Sequence, residues 1–232
     1  YPLGRGKEEY FWTLVVAVLI FTIGGLVSLE HGIEALSHPK KLDNLFISIS
    51  ILSVSILLES YVLVKAVKKL RKNRDTKSIF KLLKQSNDGP LIAIVVEDFA
   101  ATLGLIFALI GTLLTFFTGN SFYDAASAIL IGILLMISGL FLGNEMKHLI
   151  TGETVDVNIS NVLQSEINKF EKVNKIIRTN LVSVGADKYL AIVHIDYLDS
   201  LSDVDIVELN REIQIQLIDI EPRFLHLYLI PA

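Results

Sequence analysis

Asp98 stands in the run IAIVVEDFAATLG, among apolar residues on both sides, with Glu97 beside it. An ionised carboxylate within a stretch long enough to cross a bilayer is expensive and marks a functional site by default. Helical neighbours are about 100° apart, so Glu97 and Asp98 point in different directions. Asp98 instead shares its face with Ile94 and Thr102, four residues to either side. Carboxylate and hydroxyl oxygens in such a setting suit a divalent cation of the Zn²⁺, Mn²⁺ or Mg²⁺ kind. A structural reading competes: one carboxylate snorkels to the interface while the other pairs with a neighbouring helix.

Other groups could serve the same ion. Glu59 lies deep in SILLESYVL, as a ligand, a proton relay or the partner of a polar neighbour. Ser48, Ser50, Ser53 and Ser55 equally suit close packing between helices. Asp124 follows Gly119-Asn120 and opens an apolar stretch, where the dipole of a helix N-terminus would stabilise it; ion access is its other role. Glu30, His31 and Glu34 cluster in SLEHGIEALSHP, and Glu30 and Glu34 share a helix face. Three ligand types so close invite a metal, but a helix end in water is also where polar residues belong. In the last third, His194, Asp196, Asp199, Asp203, Asp205 and His226 form no tight cluster and read as solvated surface. There is no nucleophile elbow, phosphate loop or dinucleotide fingerprint, so nothing points to an enzyme or to a prosthetic group. The absence of cysteine excludes disulfides and thiolate metal sites.

Long apolar elements must hold these side chains. A spanning helix takes about 20 mostly apolar residues, and four stretches qualify: Tyr10–Leu36, Leu45–Leu70, Pro90–Phe117 and Phe122–Met146. The 232 residues are 52% hydrophobic, close to a soluble average, so the distribution decides and not the total. Gly104 and Gly111, like Gly132 and Gly139, recur at a spacing of seven and would let helices approach closely. Between Lys65 and Lys84 nine Lys and Arg stand against Asp75 alone, which puts that connector on the cytoplasmic side. With an even number of spans, Tyr1 and the C-terminal region share that side. Lys40 and Lys41 fall on the opposite side but are outweighed. The opening YPLGRGKEEYFW reads as a loop-to-helix junction, and a further segment is expected upstream.

From Gly152 onward, seven Lys and Arg meet thirteen Asp and Glu, a local charge of −6 in a chain of −4. An acidic region argues against nucleic acid as a partner and suits a domain that meets cations. Its pattern predicts α-β-β-α-β: a helix over Ile159–Phe170 capped by Asn158 or Ser160, strands over Lys175–Val184 and Tyr189–Tyr197 joined at Gly185-Ala186-Asp187, a helix from about Asp199–Ser202 to Ile220, and a strand over Phe224–Ile230. The fold class is thus an α-helical membrane domain over 1–150 with an α+β domain over 151–232.

Together these residues resemble the cation diffusion facilitator family of metal/proton antiporters. YPLGRGKEEYFW is similar to the junction entering the family's third helix, and GIEALSHP to that helix's exit. LIAIVVEDFAATLG and TGNSFYDAASAILIG resemble the fifth and sixth helices, and LGNEMKHLITGE the passage into a ferredoxin-like cytoplasmic domain. The resemblance implies six spans, so two are expected beyond the four here, and it implies a homodimer formed through the C-terminal domain. It places the transport-site Asp at Asp98. The His usual four residues earlier falls on Ile94, and Glu97 beside Asp98 resembles a divergent branch of the family in which Glu-Asp replaces that motif. Metal ligands are therefore expected at Asp98 and Glu97, completed from the family's second helix, with Glu59, Thr102 and Asp124 as a candidate ion pathway or proton relay. Tyr1 replaces the junction's usual His, and Tyr228 stands near where the family's last strand often carries a His ligand, so a cytoplasmic binuclear zinc site is expected to be absent or reduced. The function implied is divalent-cation transport, of zinc first and of Mn, Fe or Co otherwise, by alternating access. The alternative is a non-transporting membrane scaffold or metal sensor of the same fold. A membrane-embedded hydrolase is a weaker third, with only Glu59 on offer as a second acid.

Overall fold

The computed structural model describes residues 5–38, 45–71, 78–84, 86–152, 157–186 and 188–232, with the backbone alone at 157 and 158. Four long helices, α1 (Glu8–Ser37), α2 (Leu45–Arg71), α4 (Gly89–Thr118) and α5 (Phe122–Thr151), are each apolar and long enough to cross a membrane. A short helix, α3 (Ile79–Lys84), precedes α4. It was not expected: IFKLLK has too few residues to display a period, and it forms because Leu82 and Leu83 are buried.

The helix pairings follow from glycine. A Cβ on Gly132 would lie 2.8 Å from the Gly25 carbonyl oxygen, and one on Gly139 would lie 2.4 Å from Phe21 Cβ, so α1 and α5 touch backbone to backbone. A Cβ on Gly111 would lie 2.5 Å from Ser127 Oγ, which brings α4 equally close to α5. At Gly104 the nearest atom would be 3.7 Å away, an ordinary contact. The partner positions fall in reverse order along each pair, so both pairs are antiparallel. α2 packs on α4. Ser50 and Ser53 donate to the carbonyls of Phe46 and Ile49 in their own helix, so these two serines are satisfied locally and not across helices. Most large side chains on the four spans face outward, as a lipid-facing surface requires. Phe11 and Trp12 at one end, and Phe116, Phe117, Phe122 and Tyr123 at the other, are the aromatic girdles of such a surface.

A separate compact unit comprises the α+β region together with the chain up to Tyr10 and 84–88. Its elements are α6 (Val157–Ile167), β1 (Val173–Gly185), β2 (Lys188–Tyr197), α7 (Asp203–Ile220) and β3 (Phe224–Pro231). The sheet order is β1-β2-β3, with β1 antiparallel and β3 parallel to β2. Alternate residues of central β2, Tyr189, Ala191, Val193, Ile195 and Tyr197, face the core. Ile159, Leu163 and Ile167 from α6 and Leu209, Ile213 and Leu217 from α7 cover them, each set one residue in four. α6 begins at Val157, before Ser160, so Ser160 is not its cap; the Asn158 side chain and Asp187 lie outside the described residues.

Ser202 caps α7 through a capping box. Its hydroxyl accepts from the Asp205 N–H, and the Asp205 carboxylate accepts from the Ser202 N–H at 2.9 Å and its Oγ at 2.6 Å. These bonds, the side-chain one foremost, hold the Asp205 carboxyl below its ordinary value. A lowered carboxylate stabilises the fold above the unfolded value of about 3.9 and loses that contribution as pH falls through the folded value. Ser202→Ala is therefore expected to speed hydrogen exchange of the α7 first-turn amides about fivefold at neutral pH. The ratio to wild type should shrink only as pH falls below the ordinary carboxylate value of about 3.9 and through the lowered folded value of Asp205, where its protonated side chain no longer supports the box.

In this same unit Tyr10, Asn87, Ser183 and Tyr189 form a fully buried polar cluster. The Tyr10 hydroxyl donates to the Asn87 carbonyl at 2.7 Å and lies 3.4 Å from Ser183 Oγ, and Asn87 Nδ2 donates to the Tyr189 hydroxyl at 2.8 Å. Nearby, Lys7 Nζ donates to the Ile150 carbonyl, and a Cβ on Gly6 would lie 2.3 Å from the Val184 carbonyl oxygen.

Candidate metal site

Asp98 sits on the half-buried side of α4 and Glu97 on its exposed side, as their 100° offset requires. Thr102, one turn on, is buried. Asp98 Oδ2 and Thr102 Oγ1 are both shielded from solvent and have no hydrogen-bond partner among the described residues. A buried polar atom without a partner calls for an explanation such as an ion. The other carboxylates close enough to act electrostatically on Asp98 are those of Glu59 and Glu97. Glu59 arrives from α2, the helix packed on α4. Glu59 and Glu97 thus both act on Asp98, in a span where like charges have little water to separate them. Among the described residues no three His, Asp or Glu converge tightly enough to enclose a metal, so these side chains do not by themselves form a closed donor set.

Asp124 is not part of this group. Gly111 meets the Tyr123 carbonyl across the α4–α5 contact, and the helical rise from Asp98 to Gly111 is roughly 20 Å. Asp124 instead lines a recess with His31, Glu34 and His38. His38 went unremarked in the sequence, although it continues the face of His31 and Glu34 at the next helical turn.

Three of the ligand-type residues of the α+β unit have structural work. Asp196 accepts from Asn174 Nδ2 at 2.8 Å and lies 3.9 Å from Lys175 Nζ. Asp205 belongs to the α7 cap, and the His226 ring stacks on Tyr228. Tyr197, its hydroxyl pushed up by burial, donates to Asn210.

Residues 1–147 match the model of the cation efflux transmembrane domain. A human protein, the mitochondrial proton-coupled zinc antiporter SLC30A9, is 33% identical over 157 residues, covering 67% of this chain and 28% of that protein. Metal tolerance protein C4 of Arabidopsis thaliana is 28% identical over 158 residues, 67% of this chain and 35% of that one. The chain thus spans about a third or less of the length of these relatives. A solved MamM CTD in its cadmium form aligns at 14% identity with a TM-score of 0.31, over 33% of this chain and 94% of that one.

Proposed function

Since the chain belongs to the cation efflux family, we propose that it forms part of a carrier that moves a divalent cation, zinc first, across a membrane in exchange for protons. The observation that carries this reading is the buried, unpartnered pair of Asp98 Oδ2 and Thr102 Oγ1, with Glu59 and Glu97 nearby. The zinc and the proton coupling named in the human relative support the choice of cargo and of counter-ion.

Asp98 binds the cation directly, and Thr102 offers a neutral oxygen one turn away. Glu97, on the exposed side of α4, either completes the shell or hands protons to it. A carboxylate holds a metal or a proton, not both, and that competition couples the two movements. Further donors come from residues beyond those that converge here. Movement of one helix set against another exposes the site alternately to each side. The excess of Lys and Arg in the connector between α2 and α4 supports a cytoplasmic position for that end of the helices and for the C-terminal region that follows an even number of spans. The α+β unit joins two copies into a homodimer.

The test is uptake of Zn²⁺, Mn²⁺, Fe²⁺ or Co²⁺, each alone, into proteoliposomes of the intact gene product under an imposed pH gradient. Gradient-dependent uptake of one of them supports the carrier. Background flux of all four from folded protein would instead favour a scaffold or sensor, a reading that the lack of an enclosing donor set among the described residues also permits. Glu59→Gln keeps the side chain's shape and removes its charge; it is expected to lower gradient-driven uptake about tenfold, the scale of a group that acts through a ligand.

A further inference from the structure

A second cluster of metal-ligating side chains lies at the other end of the helices, outside the site around Asp98. His31 and Glu34 lie on the last turns of α1 and His38 just past its end, where its N–H still bonds the Glu34 carbonyl at 2.8 Å, so at spacings of three and four the three share a face. Across from them stands the first turn of α5, with Ser121 and Asp124. The four titratable side chains line one recess of about 320 Å³, otherwise walled by three alanines. The two helices are pinned together there. A Cβ on Gly32 would lie 2.9 Å from the Ile129 nitrogen and 3.0 Å from the Ala125 carbonyl oxygen, and Ser28 Oγ donates to the Ala128 carbonyl at 2.8 Å. His31, Glu34 and Asp124 therefore sit on a fixed frame of two helices, with His38 and Ser121 immediately beside the helix ends.

We infer that this recess is a second divalent-cation site, a hydrated holding station built from the imidazoles of His31 and His38 and the carboxylates of Glu34 and Asp124. The donor chemistry selects the ion: two nitrogens with two carboxylates suit zinc and its neighbours, whereas an all-oxygen set would suit magnesium or calcium. The local field agrees in sign. α1 ends here, so the negative end of its dipole adds to the two carboxylates in attracting a cation. Asp124 is not required as a helix cap, because Asn120 Oδ1 already accepts the Phe122 N–H at 3.0 Å. The volume equals roughly ten waters, and no three of the donors close on one point. The ion is therefore held with part of its water shell and exchanges readily, as a station on a pathway must allow. This inference rests on the transport reading for the identity of the ion, but its test is separable from that reading.

The test uses the intact gene product in nanodiscs, ¹⁵N-labelled at histidine, with Zn²⁺ alone as the probe up to about 1 mM, in the wild type and in Asp98→Ala. In both, zinc is expected to shift the His31 and His38 resonances and leave His194 and His226 in place. The double variant His31→Gln/His38→Gln is expected to bind one zinc fewer per chain by equilibrium dialysis, with the resonances of His194 and His226 unchanged as evidence that it is folded. Unmoved His31 and His38 signals, or an unchanged zinc count in the double variant, overturns the station. The transport reading is judged by flux in Asp98→Ala. A variant that still transports while His31 and His38 respond to zinc removes that reading and leaves the station standing.

Discussion

Replacing Asp98 with alanine is expected to lower gradient-driven zinc uptake by about 100-fold or more, the scale of losing roughly 3 kcal/mol of ion stabilisation. The protein is expected to stay folded. Asp98 Oδ2 is buried with no partner among the described residues, so alanine removes a desolvated carboxylate and breaks no hydrogen bond there. Thermal unfolding in detergent should leave the midpoint unchanged or raised, and Asp98→Asn should lose uptake as fully as alanine, because the charge and not the shape holds the ion. A structural role for Asp98 predicts the opposite pairing: a lowered unfolding temperature, with flux per folded molecule intact. Measuring uptake and unfolding on the same preparations separates the two.

The second large effect concerns packing. Leucine at Gly132 would place its Cβ 2.7 Å from Leu29 Cγ, 2.8 Å from the Gly25 oxygen and 2.9 Å from the Leu29 nitrogen. Two of those atoms are backbone, so relief requires α1 and α5 to separate. The cost is about 1–3 kcal/mol for overpacking, and more where the close contact itself holds the pair. Gly132→Leu is expected to lower the unfolding temperature sharply and to cut the yield of monodisperse protein. Gly143→Ala is the control: its Cβ would meet only Leu14 Cδ1, at 3.7 Å, and helix propensity favours alanine by about 1 kcal/mol. Equal behaviour of the two variants would refute the backbone-contact account of this helix pair.

The long helices and the α-β-β-α-β order were legible because both rest on periodic patterns: unbroken apolar runs for the spans, one residue in four for α6 and α7, one in two for β2. The four-residue spacing of Ile159, Leu163 and Ile167 already implies a single covered face. α3 was not legible, since six residues hold less than two turns. The α6 cap was misread because Asn158 and Ser160, on either side of Ile159, both carry capping chemistry, whereas the helix starts at Val157, ahead of both. Gly132 and Gly139 were visible as a repeat, but their partners Gly25 and Phe21 depend on how α1 lies against α5, which no local pattern carries. The candidate site follows the same rule. The cost of burying Asp98 shows in one helix, whereas the approach of Glu59 requires α2 to pack on α4. The recess of His31, Glu34, His38 and Asp124 is the extreme case. Each half taken alone is an ordinary polar helix end, and only the antiparallel pairing of α1 with α5 turns the two ends into one pocket.

The buried cluster of Tyr10, Asn87, Ser183 and Tyr189 changes where this protein divides. In sequence the α+β region begins after the last span and invites a cut there. In three dimensions its surface is finished by a tyrosine and an asparagine from far earlier in the chain. Excised at that boundary, it would carry an open socket where the Tyr10 ring had been, and a Tyr189 hydroxyl stripped of its Asn87 donor. The severed piece is thus a lock without its key. Natural recombination that exchanges such tails between relatives must carry Tyr10 and Asn87 along, or select replacements for them.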